Sequence, residues 1–204
     1  MRTESFVSSM VILAAAIMTA CTGAAAGTRP DDMSVAGHDA AAVRWVSSAQ
    51  PNPSVAAQHH AASQALTDAE DRACNGVAPS DRATSPFSRR RDIESVAPLY
   101  GPVGAVSEGP TSNQLIGASV SFRSVPGLTR EWFQRVVDCH LAHNASFGHP
   151  VAEMQNCPLV PKNVSAVVRS SGADFIVDVS SKDSTVAQEI LRRAQGSAAG
   201  AATR

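Results

Sequence analysis

Six side chains able to ligate a soft or borderline metal fall close together in one stretch of the chain, Leu128 to Pro158. They are Cys139, His140, His143, His149, Met154 and Cys157. A thiolate, imidazoles and a thioether in one coordination sphere suit copper(I); without the thioether they suit zinc. If this stretch begins as a helix, Cys139 and His143 stand at i, i+4 and His140 and His143 at i, i+3, so either pair can face one ion. His149, Met154 and Cys157 follow in a loop that can fold back. The spacing matches no established ligand motif: there is no CxxC, no HExxH and no Met-rich repeat. The competing reading is structural. A Cys139–Cys157 disulfide would close a long connection and contribute roughly 3 kcal/mol by the chain-entropy estimate. Cys74 can instead pair with either of them. His140, near a helix C-terminus, would then simply favour its charged form.

The same residues offer a catalytic reading, a thiol–imidazole pair of Cys139 and His143. A nucleophilic thiolate is stabilised at a helix N-terminus, whereas Cys139 sits toward the C-terminal end, where the dipole opposes it. There is no GxSxG, no SxxK and no phosphate loop. Glu94, Glu108, Glu131 and Glu153 form no recognisable acid/base couple. The expectation is therefore a protein that is not an enzyme. The adjacent pair His59-His60 cannot chelate one ion, because neighbouring helical side chains point about 100° apart. One ring is expected on a packed face and one in solvent. The formal net charge of −1 and the lack of a basic stripe argue against nucleic acid as a partner; Arg89-Arg90-Arg91 reads as a solvated loop.

The N-terminus carries targeting information. Arg2 precedes an apolar run, Val7 to Ala20, too short and too rich in Ala for a comfortable membrane span. The run ends in Met18-Thr19-Ala20-Cys21, which resembles the lipobox of bacterial lipoproteins with Met in the place usually held by Leu. The resemblance implies cleavage before Cys21 and lipidation of it with diacylglyceryl and palmitate-type acyl chains. Several chains anchor stably where one is marginal. Residue Thr22 is not Asp, which by the sorting habit of enteric bacteria implies an outer-membrane location facing the periplasm. A chain exported to the cell envelope folds in an oxidising compartment. Outside the leader it has three cysteines, an odd number that fits one disulfide with one thiol or one metal-bound group.

Several elements must position these side chains. Residues 1–20 read as signal peptide and residues 21–53 as a flexible tether of Ala, Gly, Ser, Pro and Asp, with a sticky patch at Val43, Trp45 and Val46. Ser54 to Cys74 has helix formers, one packed side and an Asn75-Gly76 stop. Pro79 to Asp92 reads as a loop anchored by Phe87. Ile93 to Leu99 reads as a short edge strand because of Pro98. Leu115 to Ser124 alternates with period two, Ile116, Ala118, Val120 and Phe122 on one face. Thr129 then caps a helix with Trp132, Phe133, Val136, Val137 and Leu141 on its apolar side. Val164 to Arg169 and Phe175 to Val179 flank a hairpin turn, Ser170 to Ala173. Asp183-Ser184 caps a last helix through Ala187, Ile190, Leu191 and Ala194, closed by Gly196, with residues 196–204 as a tail.

This order predicts an α+β domain over residues 54–195. A strand, a crossover helix and a second, parallel strand accept the hairpin strand between them, a split βαβ with helices on one face. Pairing Ile93–Leu99 with Leu115–Ser124 makes the sheet three- or four-stranded and ferredoxin-like, circularly permuted, with the Ser54–Cys74 helix packed against it. The phrases SPFSRRRDI, VPGLTREWFQRVVDCHLAHN and CPLVP give the region Ala73–Ala194 a general resemblance to bacterial lipoproteins to which no activity attaches, so the resemblance implies no function. The expected protein is a membrane-anchored envelope lipoprotein with a structural or interaction role, an envelope protein as partner and no cofactor. The alternative is periplasmic copper or zinc binding through residues 139–157.

Overall fold

The computed structural model describes residues 33–102, 113–149 and 154–199. The signal peptide and Cys21 lie outside the described residues. Five helices and four strands are arranged as α1 (Val35–Ser47), α2 (Pro53–Ala73), α3 (Pro79–Ala83), β1 (Ile93–Pro102), β2 (Asn113–Phe122), α4 (Arg130–Ser146), β3 (Ser165–Ser171), β4 (Asp174–Ser180) and α5 (Ser184–Ala199). The protein is α+β with one antiparallel sheet of order β1-β2-β4-β3. As the order of the elements predicts, β4 sits between β2 and β3, and β1 joins β2 at the edge. Pro98 and Pro102 lie on β1, where a missing N–H costs no ladder bond.

One face of the sheet is dry. Ala118, Val120 and Phe122 of β2, Phe175, Val177 and Val179 of β4, and Ala166 and Val168 of β3 are buried under Phe133 and Val137 of α4 and Ile190 and Ala194 of α5. Phe87, expected as a loop anchor, joins them at 2% exposure. The phenylalanines meet edge to face in a row, Phe87–Phe122–Phe133–Phe175, with ring centroids 5.1–5.8 Å apart. Gly117 carries no side chain for a reason: a Cβ there would stand 1.9 Å from the Val179 carbonyl oxygen of the neighbouring strand. The other face carries Ser119, Ser121, Val167, Arg169, Ile176 and Asp178, a mixed set that no helix among the described residues covers. Ser119 and Arg169 both donate to Asp178 across three strands. Burial raises the Asp178 carboxyl, and these two donors outweigh it, leaving it below its ordinary value.

Besides the short helix α3, which begins the stretch Pro79–Asp92 read as a loop, three expectations change. Val35–Ser47 is helical where a flexible tether is read from composition. Ser34 caps it by accepting from Gly37 N–H, and its packed side is His38, Ala41 and Ala42. A stripe of alanines and one histidine carries little hydrophobic contrast, so periodicity does not show it. The patch Val43, Trp45 and Val46 is on its exposed part, at 66%, 41% and 60% exposure. Second, α2 packs on α1 and α4 rather than on the sheet. Third, α5 runs through Gly196 to Ala199. Gly196 there admits Asn156, whose Oδ1 would lie 2.6 Å from a Cβ, and Ser197 Oγ donates to Asn156 O. No helix among the described residues is long and apolar enough to cross a membrane.

Candidate functional site

The chemistry-bearing residues of α4 face two neighbours. Cys139 and His143, one turn apart, face α2; His140 and Asn144, a quarter turn round, face the loops beneath. The α2 seam is an antiparallel ladder with matched four-residue steps. Cys139 is disulfide-bonded to Cys74, with Cα atoms 4.5 Å apart. One turn along, His143 Nδ1–H donates to Glu70 Oε1 at 2.6 Å. Val136, three residues the other way on α4, and Val77, just beyond the end of α2, pack with the disulfide and Trp132 into a small second core. Burial raises the Glu70 carboxyl; the hydrogen bonds from His143 and Ser146 and the charge of His143 outweigh it and hold it below the carboxylate range. The disulfide is one of the pairings the sequence leaves open. It takes Cys139 away from Cys157 and ties the end of α2, where Cys74 N–H still donates to Glu70 O, to the middle of α4.

His140 is fully buried. Its Nε2 lies 2.9 Å from Asp81 O and 2.7 Å from Thr84 O, two carbonyls that only an N–H can satisfy. This assigns the proton to Nε2 and leaves Nδ1 a bare acceptor with no partner. Burial lowers the ring's affinity for a second proton, against the pull of the two carbonyls. The charged His140 at a helix end expected from the dipole is thus replaced by a neutral one that pins α3 and the following loop. Asn144 Nδ2 donates to Leu159 O at 3.1 Å. His149, at φ 67°, donates from Nδ1 to Val160 O at 2.8 Å. Together Asn144 and His149 hold the Leu159-Val160 segment on α4.

Met154 packs against the main core. Cys157 is buried, its sulfur 3.1 Å from Ser85 Oγ. Burial raises its pKa, which keeps it a thiol despite the Ser85 contact, a poor state for either ligation or attack. Met154 and Cys157 line one groove of about 630 Å³ with Ser85 and Arg90. The stretch is therefore brought together only in part: His143 stands one turn from Cys139 and edge to face with His140, ring centroids 6.5 Å apart, and Met154 and Cys157 share the groove. Among the described residues there is no group of three or more His, Cys, Asp or Glu arranged to hold a metal ion. The Cys139 sulfur is already bonded to Cys74, so the thiol–imidazole pair with His143 has no thiol.

Two partners escape a reading of the sequence, Glu70 and His38, whose Nδ1 lies 3.0 Å from His59 Nδ1 between α1 and α2, while Cys74 is among the disulfide candidates and only the choice between Cys139 and Cys157 stays open. A signal for Glu70 and for that choice exists. Glu70 and Cys74 stand at i, i+4, as do Cys139 and His143, and only antiparallel helices pair both at once. For His38 there is no signal short of knowing that residues 35–47 are helical. A small apolar recess of about 70 Å³, among Phe122, Leu128, Trp132 and Phe133, is below the size of a ligand pocket. Comparisons with known protein families, with curated proteins and with solved structures find no match.

Proposed function

We propose that this chain is a lipid-anchored lipoprotein of the cell envelope, facing the periplasm from the outer membrane, with a non-enzymatic structural or interaction role and an envelope protein as partner. One observation carries the placement: the apolar leader ending in Met18-Thr19-Ala20-Cys21. Two features of the folded part support it. A helix seam built around a buried disulfide suits an oxidising compartment. The uncovered sheet face, where Val167 and Ile176 lie among serines and an Arg169–Asp178 ion pair, has the mixed character of a transient protein interface. The domain itself we read as a ferredoxin-like split βαβ in circularly permuted form, with β1 in the place of the last strand; the order β1-β2-β4-β3 supports that reading.

The alternative, copper or zinc held through residues 139–157 with His140, His143, His149 and Met154 as ligands, requires these side chains to converge on one point, and among the described residues no three His, Cys, Asp or Glu are so grouped. The test of anchoring is metabolic labelling with palmitate, followed by mass spectrometry of the N-terminal peptide. The expected result is a labelled chain beginning at acylated Cys21, and an unlabelled, leader-retaining chain for Cys21→Ala. A chain cut after an alanine with Cys21 unmodified removes the proposal.

A further inference from the structure

The two edges of the sheet are protected in different ways. On β1 the protection is covalent, since Pro98 and Pro102 offer no N–H to a further strand. On β3, among the described residues, it is a side chain. Gln134 of α4 reaches over the edge, donating from Nε2 to Ala166 O at 3.1 Å and accepting from Val168 N–H at 2.7 Å. A backbone N–H makes one good bond, so Val168 N–H points away from β4, and the carboxamide fills the place a fifth strand would take. Nothing about Gln134 in the sequence announces this. It is a half-buried polar residue on the second turn of an amphipathic helix.

We propose that the outer edge of β3 is a latent self-association surface, closed in the monomer by the Gln134 carboxamide. The occupant that fits is the β3 of a second copy. In antiparallel pairing about a two-fold axis at Val167, Ala166 faces Val168 of the other copy and Val168 faces Ala166, so the outward N–H and C=O groups are reciprocally satisfied. Val167, 56% exposed, then meets its own copy on the open face, an apolar cross-strand pair, and Arg169 lies opposite Ser165. Pairing of β3 with the far edge of another molecule is blocked by the prolines of β1. The association therefore closes as a dimer instead of growing into a fibre. Displacing Gln134 exchanges two side-chain bonds for a ladder, so the balance is close and one residue sets it.

The experiment compares the full chain in detergent with Gln134→Ala and with Gln134→Asn, whose shorter arm keeps the polarity but not the reach. Size is read by light scattering after chromatography, and Val168 N–H protection by hydrogen exchange. The expected result is a monomer with a protected Val168 amide for the unaltered chain. Both variants should be dimers at high concentration, with that amide exchanging rapidly once diluted to monomer. Adding Val167→Lys to Gln134→Ala places like charges at the two-fold axis and should return the monomer. A Gln134→Ala chain that stays monomeric at all concentrations overturns the proposal. So does a dimer indifferent to Val167→Lys, and so does loss of the native circular dichroism in both Gln134 variants, which would make Gln134 a support of the α4–sheet packing instead.

Discussion

The sheet with α4 and α5 buries four phenylalanines in an edge-to-face row and surrounds them with valine, isoleucine and leucine. The α1–α2 hairpin buries Ala41, Ala42, Ala56, Ser63 and one histidine, and meets the rest of the molecule through a core of Cys74, Val77, Val136 and Cys139. At roughly 25 cal/mol per Å² of apolar surface, alanines and a serine stabilise little, and the hairpin must be held by something other than burial. A disulfide, the Glu70–His143 pair and the His38–His59 contact supply it. Packing is diffuse and survives small changes; a staple is concentrated in a few atoms and is lost with any of them. The difference teaches that the two regions should respond to different insults.

The largest effect is expected at the centre of the packed half. Phe133 touches both Phe122 and Phe175, and Phe133→Ala should cost roughly 3–5 kcal/mol in urea unfolding, with sheet and hairpin lost in one transition. A cost under about 1 kcal/mol would mean that packing is not what holds this half. Next is the staple. Replacing Cys74 and Cys139 together by serine opens a loop of 65 residues and should cost about 2–4 kcal/mol. Its signature differs. Amides of α1 and α2 should lose hydrogen-exchange protection well before those of β2 and β4, because the hairpin opens locally while the sheet persists. Hairpin amides that keep their protection without the disulfide would show the two regions to be packed alike after all.

The same division decides what the sequence displays. The strands of the packed half alternate Ala118, Val120, Phe122 and Phe175, Val177, Val179 against polar neighbours, and α4 and α5 carry large apolar residues at helical spacing. Their order alone predicts β4 between β2 and β3, as found. The stapled half is legible only in part. The helix Pro53–Ala73 is predicted from its formers and its stop, but α1 is hidden by alanine. Which cysteine meets which depends on how two helices are juxtaposed, a tertiary fact that spacing does not contain. The cluster 139–157 illustrates the limit. Its ligand-like residues are adjacent in sequence because one helix and its exit loop face several neighbours at once, and the fold divides the side chains among those neighbours: Cys139 and His143 to α2, His140 to Asp81 and Thr84, His149 to Val160, Met154 and Cys157 to one groove.

Acid should separate the regions next. Burial lowers the His140 pKa from 6.5, so between that value and its folded pKa the unfolded chain binds one more proton than the native one. Stability from His140 is therefore complete above pH 6.5 and falls as pH drops below it, by at most about 1.4 kcal/mol per pH unit. Glu70 is held below its ordinary 4.5, so its contribution is complete above that pH and falls only below it. A melting curve against pH should show a first decline beginning near 6.5, assigned to His140 by its ring resonances, and a second beginning near 4.5. Glu70→Gln should weaken the second decline, to which Glu189 and Asp178 also contribute, keep the first, and cost about 1 kcal/mol at neutral pH from the lost charged hydrogen bond. A single decline below 4.5 in the unaltered chain would show that His140 is protonated in the native state.

The smallest effect distinguishes two neighbouring rings. His59 turns inward, its Nδ1 3.0 Å from that of the buried His38, so one of the two must donate and the other accept. His60, one residue on, lies in solvent, 3.9 Å from Asp39 and with its side chain 80% exposed. An exposed pair at that distance is screened and contributes nothing measurable in most proteins. His59→Ala should therefore cost about 1 kcal/mol and raise exchange rates in α1 selectively, since α1 touches the rest of the described structure chiefly through α2. His60→Ala should leave both unchanged. Equal effects from the two would mean that helix propensity, not the contact, sets the stability of the hairpin; no effect from either would mean that the alanine stripe alone keeps α1 in place. Only the unequal result assigns to the His38–His59 contact the part in α1 that the disulfide plays in α2.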